Sequence, residues 1–380
     1  MSARGGIVLV GTGAYAFADA WGPGVVARSL AQWCADHGGA AQWDVAILYR
    51  SSAGRARAEA GWKQIRAEIS DLPEAKLLGL DEDAAEAAIE SAHALFVCVP
   101  DSAHAEYVER GIDARVPTWV VKPLSGDAET SASLVQRATR ADVPVWVDYH
   151  KRFDVSNRLI RTAIETDEYG APLLFQIRYS QPRSLPLDGF AWTAETNVFS
   201  YIGCHYVDQL FYWMPGLELE SVDAHGVRGP VFDRIGHAGY DTVLARLTGR
   251  FRGRPVTAQL EVGWGNPLAS PTKSLQIVEL ACERGRLFLD QTRRGVEIWS
   301  DERVSVPNPY FFARLHDPVR ATTRYQGYGW ESVRTFLDFT LASEPERRQL
   351  RSHDALPWIE AGARVDGVLD RVAQALAERA

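Results

Sequence analysis

Residues 198–213, VFSYIGCHYVDQLFYW, are aromatic and aliphatic at helical spacing, yet His205 and Asp208 stand three residues apart on one face of that helix. Burying an imidazole and a carboxylate is costly unless both are hydrogen-bonded or put to use. An imidazole titrates near ~6.5 and moves protons at physiological pH without further adjustment. A carboxylate one turn further on can bind a substrate or orient the local hydrogen bonds. Lysine scarcity supplies another candidate: the 41 Lys and Arg include only five lysines, Lys63, Lys76, Lys122, Lys151 and Lys273. Where a surface cation serves, this chain uses Arg, so each Lys is a candidate for amine chemistry that Arg cannot perform. Lys122 closes the apolar run TWVVKP. Lowering it from ~10.4 to ~7.5, where it serves as a base, takes about 4 kcal/mol of differential interaction. A snorkelling lysine and a core histidine are the plainer alternatives for these two residues.

A different chemistry is written near the amino terminus. The run GIVLVG enters GTGAYA, with Gly11, Gly13 and Ala16 in the G-x-G-x-x-A spacing of a dinucleotide-binding turn. The first Gly permits the tight turn, the second lets a pyrophosphate approach the backbone, and the small third residue lets helix and strand pack. Gly11, Thr12, Gly13, Ala14 and Tyr15 are therefore read as cofactor-binding. The next strand-like run ends in LYRSS, where an acid would receive the ribose hydroxyls of NAD. Arg50, Ser51 and Ser52 suit a 2′-phosphate instead, which makes NADP(H) the preferred cofactor and leaves NAD(H) possible. The alternative for these three is a helix cap followed by solvated arginines. Residues 17–24, FADAWGPG, interrupt the expected helix and are read as a surface insertion, with an enlarged loop over the cofactor as the alternative.

These residues need elements to hold them. GIVLVG, VAILYR, KLLGL, ALFVCVP, TWVVKP and PVWVDYH alternate with Ala-, Glu- and Arg-rich helical segments. That pattern predicts a doubly wound α/β Rossmann domain over residues 1–150. LLFQIRYS, DTVLARLTG, PVTAQLEVGW, SLQIVELACE, GRLFLDQT and GVEIWS predict a second, sheet-rich domain over 151–353. Residues 328–343 and 354–379 look helical, the last a carboxy-terminal helix packing back on the first domain. The net charge of −8 shows no basic block, which argues against nucleic acid. No apolar run approaches the ~18 residues of a membrane span, and the start carries no export signature, so a cytoplasmic location without a membrane partner is expected. The four cysteines are dispersed, and no metal-ligand set is evident.

Four stretches in order resemble the Gfo/Idh/MocA family of NAD(P)-dependent oxidoreductases (glucose–fructose oxidoreductase, inositol dehydrogenase). The Gly-rich turn is the first. VPDSAH (99–104) is similar to the family's P-N-x-x-H, with Asp101 for Asn. VVKP (120–123) is similar to its E-K-P, with Val121 for the acid. IGCHYVD (202–208) matches its G-x-H-x-x-D at Gly203, His205 and Asp208. YHKRF (149–153) fits its junction between domains. The resemblance implies an α/β second domain with a large, open, mostly antiparallel sheet whose outer face forms a homodimer or homotetramer contact. It implies cofactor contacts from Pro100, Asp101, His104, Lys122, Pro123 and Arg152. It also implies that Lys122, His205 and Asp208 serve catalysis at the nicotinamide, on a secondary alcohol or ketone of a sugar, sugar derivative or cyclitol. Which of Lys122 and His205 carries the proton stays open. Aromatics in SLPLDGFAW and YQGYGW are candidate sugar platforms, and Arg183 or Arg324 candidate ligands for an acidic substrate. A non-catalytic cofactor or sugar sensor is the alternative function.

Overall fold

Each of the six apolar runs of the first half forms a strand: β1 (Gly5–Val10), β2 (Trp43–Tyr49), β3 (Ala75–Gly79), β4 (Ala94–Val97), β5 (Thr118–Val120) and β6 (Val145–Val147). They pair in parallel in the order β3-β2-β1-β4-β5-β6. The computed structural model describes residues 4–19, 22–189, 197–235, 240–267, 269–319 and 321–379. β4, β5 and β6 are buried at every residue, as a parallel sheet covered on both faces requires. The order reverses between β1 and β4, and their carboxyl ends open the crevice where such sheets bind ligands.

Two compact units result. The first comprises Met1–Ser125, Glu129–His150 and Tyr310–Ala363; the second comprises Gly126–Ala128, Lys151–Pro309 and Arg364–Ala380. The chain passes from the first unit to the second after residue 150, and residues 310–353, expected in the second domain, fall in the first unit. Packing explains the return. Helix α4 (Tyr328–Leu341; α1 to α3 are given below) inserts Phe336 between Phe96 and Trp146, at ring separations of 5.5 and 6.1 Å. The hairpin before it docks by main-chain hydrogen bonds between Tyr325 and the Gln32 side chain. The last helix, α5 (Ile359–Ala377), starts in the first unit and continues in the second.

The second unit is built on a mixed sheet of β7 (Pro172–Pro182), β8 (Glu218–Val227), β9 (Thr242–Phe251), β10 (Arg254–Asn266), β11 (Leu275–Cys282) and β12 (Arg286–Asp290), in the order β8-β9-β10-β7-β11-β12. Only β7 with β10 is parallel. Strand β8 is absent from the sequence reading because it lies at the sheet edge and is largely polar, so its alternation is weak. GVEIWS, expected as a full strand, contributes only Ile298–Trp299 to a separate two-stranded ribbon. Among the described residues no helix is long and apolar enough to cross a membrane.

Candidate active site

The Gly-rich turn follows β1 directly. Gly11 has φ +100°, and a Cβ there would stand 2.2 Å from the Cys98 carbonyl oxygen, so backbone strain and contact both exclude a side chain. Gly13 is different: its φ is ordinary, and a Cβ would meet nothing within 4 Å. The protein itself gives no reason for glycine there; close approach of a ligand would. Ala16 is fully buried, the packing role expected of it.

After this turn the helix is interrupted and then resumed. Ala18–Asp19 pairs with Gly22–Pro23, and α1 (Val26–Asp36) begins only afterwards. The Val26 and Ala27 N–H groups donate to Tyr15 O and Ala16 O, at 3.3 and 3.0 Å. Removing residues 18–24 would turn both into ordinary helical i→i−4 bonds. The insertion is thus an excursion from the helix, anchored by buried Phe17, whose carbonyl accepts from Arg28 at 2.5 Å. Trp21, inside it, lies outside the described residues.

On the β2 side, Ser51 caps α2 (Ser52–Glu68): its hydroxyl oxygen accepts from Gly54 N at 3.1 Å. The helix-cap alternative therefore holds for Ser51, while its O–H remains a donor. Arg50 is exposed and makes no ion pair among the described residues. Arg57 donates to Thr12 O at 3.0 Å, tying the helix to the phosphate turn.

At the ends of β4 and β5 the motif residues divide by role. Asp101 Oδ2 is buried without a hydrogen-bond partner among the described residues, so a donor is missing beside Pro100. His104, expected to touch the cofactor, is fully buried between Pro123 O (2.7 Å) and Val99 O (3.0 Å), and burial lowers its pKa. Its ring holds the two strand-end segments together. Pro123 is buried after a cis bond, and Lys122, partly exposed, follows β5.

In the second unit, α3 (Cys204–Trp213) is buried at all ten residues. Its Trp213 stacks on Phe175 of β7 at 5.4 Å, and Tyr206 meets Tyr179 edge-on at 5.7 Å. His205 is 5% exposed, with its ring 6.3 Å from that of Tyr179. Asp208 is 0% exposed and takes Arg152 in a bidentate grip, Nη2 at 2.6 Å and Nε at 3.0 and 3.1 Å, with Gln209 adding a bond at 3.1 Å. Burial pushes the Asp208 carboxyl up, against the pull of the Arg152 guanidinium. Arg152, expected at the cofactor, thus joins the 150–153 segment to α3, and Asp208 acts as its anchor. Lys122 belongs to the first unit, whereas His205 and Asp208 belong to the second.

Other expected contacts take different roles. Tyr325, Tyr328 and Trp330 are core residues, and Arg324 is engaged by Asp36 at 2.5 and 2.8 Å. Phe190 and Trp192 of SLPLDGFAW lie outside the described residues; Arg183 is partly exposed. Among the described residues no group of three or more His, Cys, Asp or Glu side chains is placed to hold a metal. Lys151 carries a feature the sequence only hinted at. It is 2% exposed, donates to Gln276 Oε1, and lies 5.5 and 5.1 Å from the Tyr179 and Tyr206 ring centres. Burial brings its pKa down to about 7, partly countered by Asp154 and reinforced by Arg294. Its signals in the sequence were lysine scarcity and its place in YHKRF.

Comparison with known proteins finds similar oxidoreductases. The model of an oxidoreductase family with an NAD-binding Rossmann fold, GFO_IDH_MocA, matches residues 6–149. Myo-inositol 2-dehydrogenase of Thermotoga maritima is 26% identical over 253 residues, 66% of this chain and 70% of that protein. Inositol 2-dehydrogenase of Corynebacterium glutamicum (strain ATCC 13032) is 25% identical over 238 residues, 62% and 65% of the two chains. The fold is shared with scyllo-inositol dehydrogenase of Lactobacillus casei, solved with NAD(H) and scyllo-inositol: TM-score 0.68, 15% identity, 99% of this chain and 98% of the other.

Proposed function

We propose that this chain, a member of the Gfo/Idh/MocA family of oxidoreductases, is a dehydrogenase acting on CH–OH groups, with a cyclitol or related sugar as substrate. The observation that carries the reading is the pair of glycines at the β1–β4 crevice, Gly11 demanded by the fold and Gly13 leaving its surroundings open to close approach of a ligand. Bound there, a nicotinamide cofactor would accept or return the hydride of the substrate carbon. Gly11 to Tyr15, Pro100 and Asp101 would hold it, and Asp101 Oδ2 awaits a donor. Lys122 and His205 are the groups suited to take or return the hydroxyl proton, because oxidation at carbon requires a base at that oxygen. Asp208 and Arg152 position α3 and so His205. Arg50, with the Ser51 and Ser52 hydroxyls and no acid at the end of β2, supports NADP(H) over NAD(H). Exposed Leu244 and Phe288 on β9 and β12 support a homodimer or homotetramer formed through the second sheet.

The test is a titration of the purified protein with NADPH and NADH, followed by absorbance at the reduced-cofactor band with inositols and keto-inositols. Tighter NADPH binding and turnover on a cyclitol are expected. Binding without turnover on any polyol would favour the sensor alternative, and no binding would overturn the reading.

A further inference from the structure

Tyr15, the last residue of the phosphate turn, is drawn away from its own strand. Its hydroxyl donates to Asp148 Oδ2 at 2.6 Å and lies 3.1 Å from His150 Nδ1, which is itself 3.0 Å from the same carboxylate oxygen. The other carboxylate oxygen accepts from Ser332 Oγ at 2.7 Å. The His150 ring stacks on Tyr15 at 6.1 Å and Tyr328 at 5.6 Å and packs on Phe311 at 5.2 Å. All these residues belong to the first unit.

The topology says where this cluster stands. Asp148 follows β6, three strand spacings or roughly 14 Å from β1. Tyr15 therefore reaches over the carboxyl ends of β4 and β5. Arg50, Ser51 and Ser52 mark the β2 side of the crevice as the adenosine side, so a dinucleotide laid across it brings its other half to the β4–β6 side. The charge there is unusual: Asp148 is 1% exposed, and its partners are hydroxyls and His150, with no Lys or Arg paired to it among the described residues. Burial and the Asp148 charge push the Tyr15 phenol well up, so it stays a donor.

We infer that the Tyr15–Asp148–His150 cluster is the nicotinamide-side contact of this site and favours the oxidised, positively charged ring over the reduced, neutral one. This rests on the proposed function, since it needs a nicotinamide dinucleotide in the crevice. The physical reason is twofold. An aromatic face attracts a cation, and a buried carboxylate acts on charge through a low dielectric. Asp148, Ser332 and His150 fix the ring of Tyr15, and Tyr15 makes the contact.

The experiment is calorimetric binding of three ligands, the oxidised cofactor, the reduced cofactor and ADP-ribose, to the native protein, Asp148→Asn and Tyr15→Phe. Asp148→Asn is expected to weaken the oxidised form roughly tenfold relative to the reduced form and to leave ADP-ribose unchanged. Tyr15→Phe should shift the ratio in the same direction by less. An unchanged oxidised-to-reduced ratio in folded variants would overturn the inference, as would a parallel loss of ADP-ribose, which would mark the cluster as a support of the turn alone. If Asp148→Asn does not fold, Tyr15→Phe decides. Should the native protein bind no dinucleotide, the proposed function itself fails and this inference with it, a result visible before any variant is compared.

Discussion

The phosphate turn and helix α3 carry the two halves of the candidate chemistry in opposite ways. At the turn Gly11 is held close against Cys98 O and Gly13 faces open space, and this geometry follows from a local pattern of glycines. In α3 every residue is buried, and Asp208 takes its partner from far away in sequence, Arg152, 56 residues earlier. Local geometry is readable from spacing; the role of a buried polar group is decided by what surrounds it.

Four substitutions sharpen or break this contrast, the largest effect first. Lys122→Met should cut turnover by about 10²–10⁴-fold, the scale of a lost proton carrier, with cofactor affinity retained. A steady-state assay beside a binding titration checks it, and unchanged turnover would leave the proton to His205. Arg152→Ala leaves the Asp208 carboxylate buried without its guanidinium and should cost about 3–5 kcal/mol in urea unfolding. A carboxyl whose folded pKa is raised binds more protons folded than unfolded, so the stability of this variant should fall as pH rises above the ordinary carboxylate range. A loss independent of pH would assign the defect to packing.

Lys151→Met tests the other buried charge. With a folded pKa of about 7 against an ordinary 10.5, the unfolded chain binds more protons between those values. The penalty for burying the amine is full below pH 7 and is relieved as pH rises toward 10.5, giving a slope of up to about 1.4 kcal/mol per pH unit. The variant should be more stable near neutral pH and lose that slope. A native protein whose stability is flat from pH 7 to 10 would show the amine to be solvated. Arg50→Ala should weaken NADPH roughly tenfold and leave NADH unchanged, the loss of one charge-assisted contact. Equal effects on both would remove the 2′-phosphate assignment.

Legibility followed the same division. The six parallel strands were readable because strands covered on both faces are continuous apolar runs, whereas β8, polar and at an edge, was not. The turn was readable at Gly11 and Gly13. His104 and Arg152 were read as cofactor contacts from a family motif, which records that a residue recurs and not which atoms it meets. His104 lies between two carbonyl oxygens, one of which its ring N–H serves, and Arg152 turns its fork on Asp208. Lys151 surfaced as one of five lysines and within YHKRF, without a role, and Asp148 was not singled out.

The sequence by itself determined the alternation that makes a doubly wound sheet, the place of the Gly-rich turn, and the absence of an acid after β2. Each is set by neighbours within a few residues, where steric limits on φ and side-chain periodicity act. Tertiary structure alone decided that residues 310–363 return to the first unit, that Asp208 meets Arg152, and that Tyr15 reaches Asp148, 133 residues away. Those pairings exist because closing the sheets removes water from specific polar groups, and a desolvated group must take whatever partner the fold brings to it.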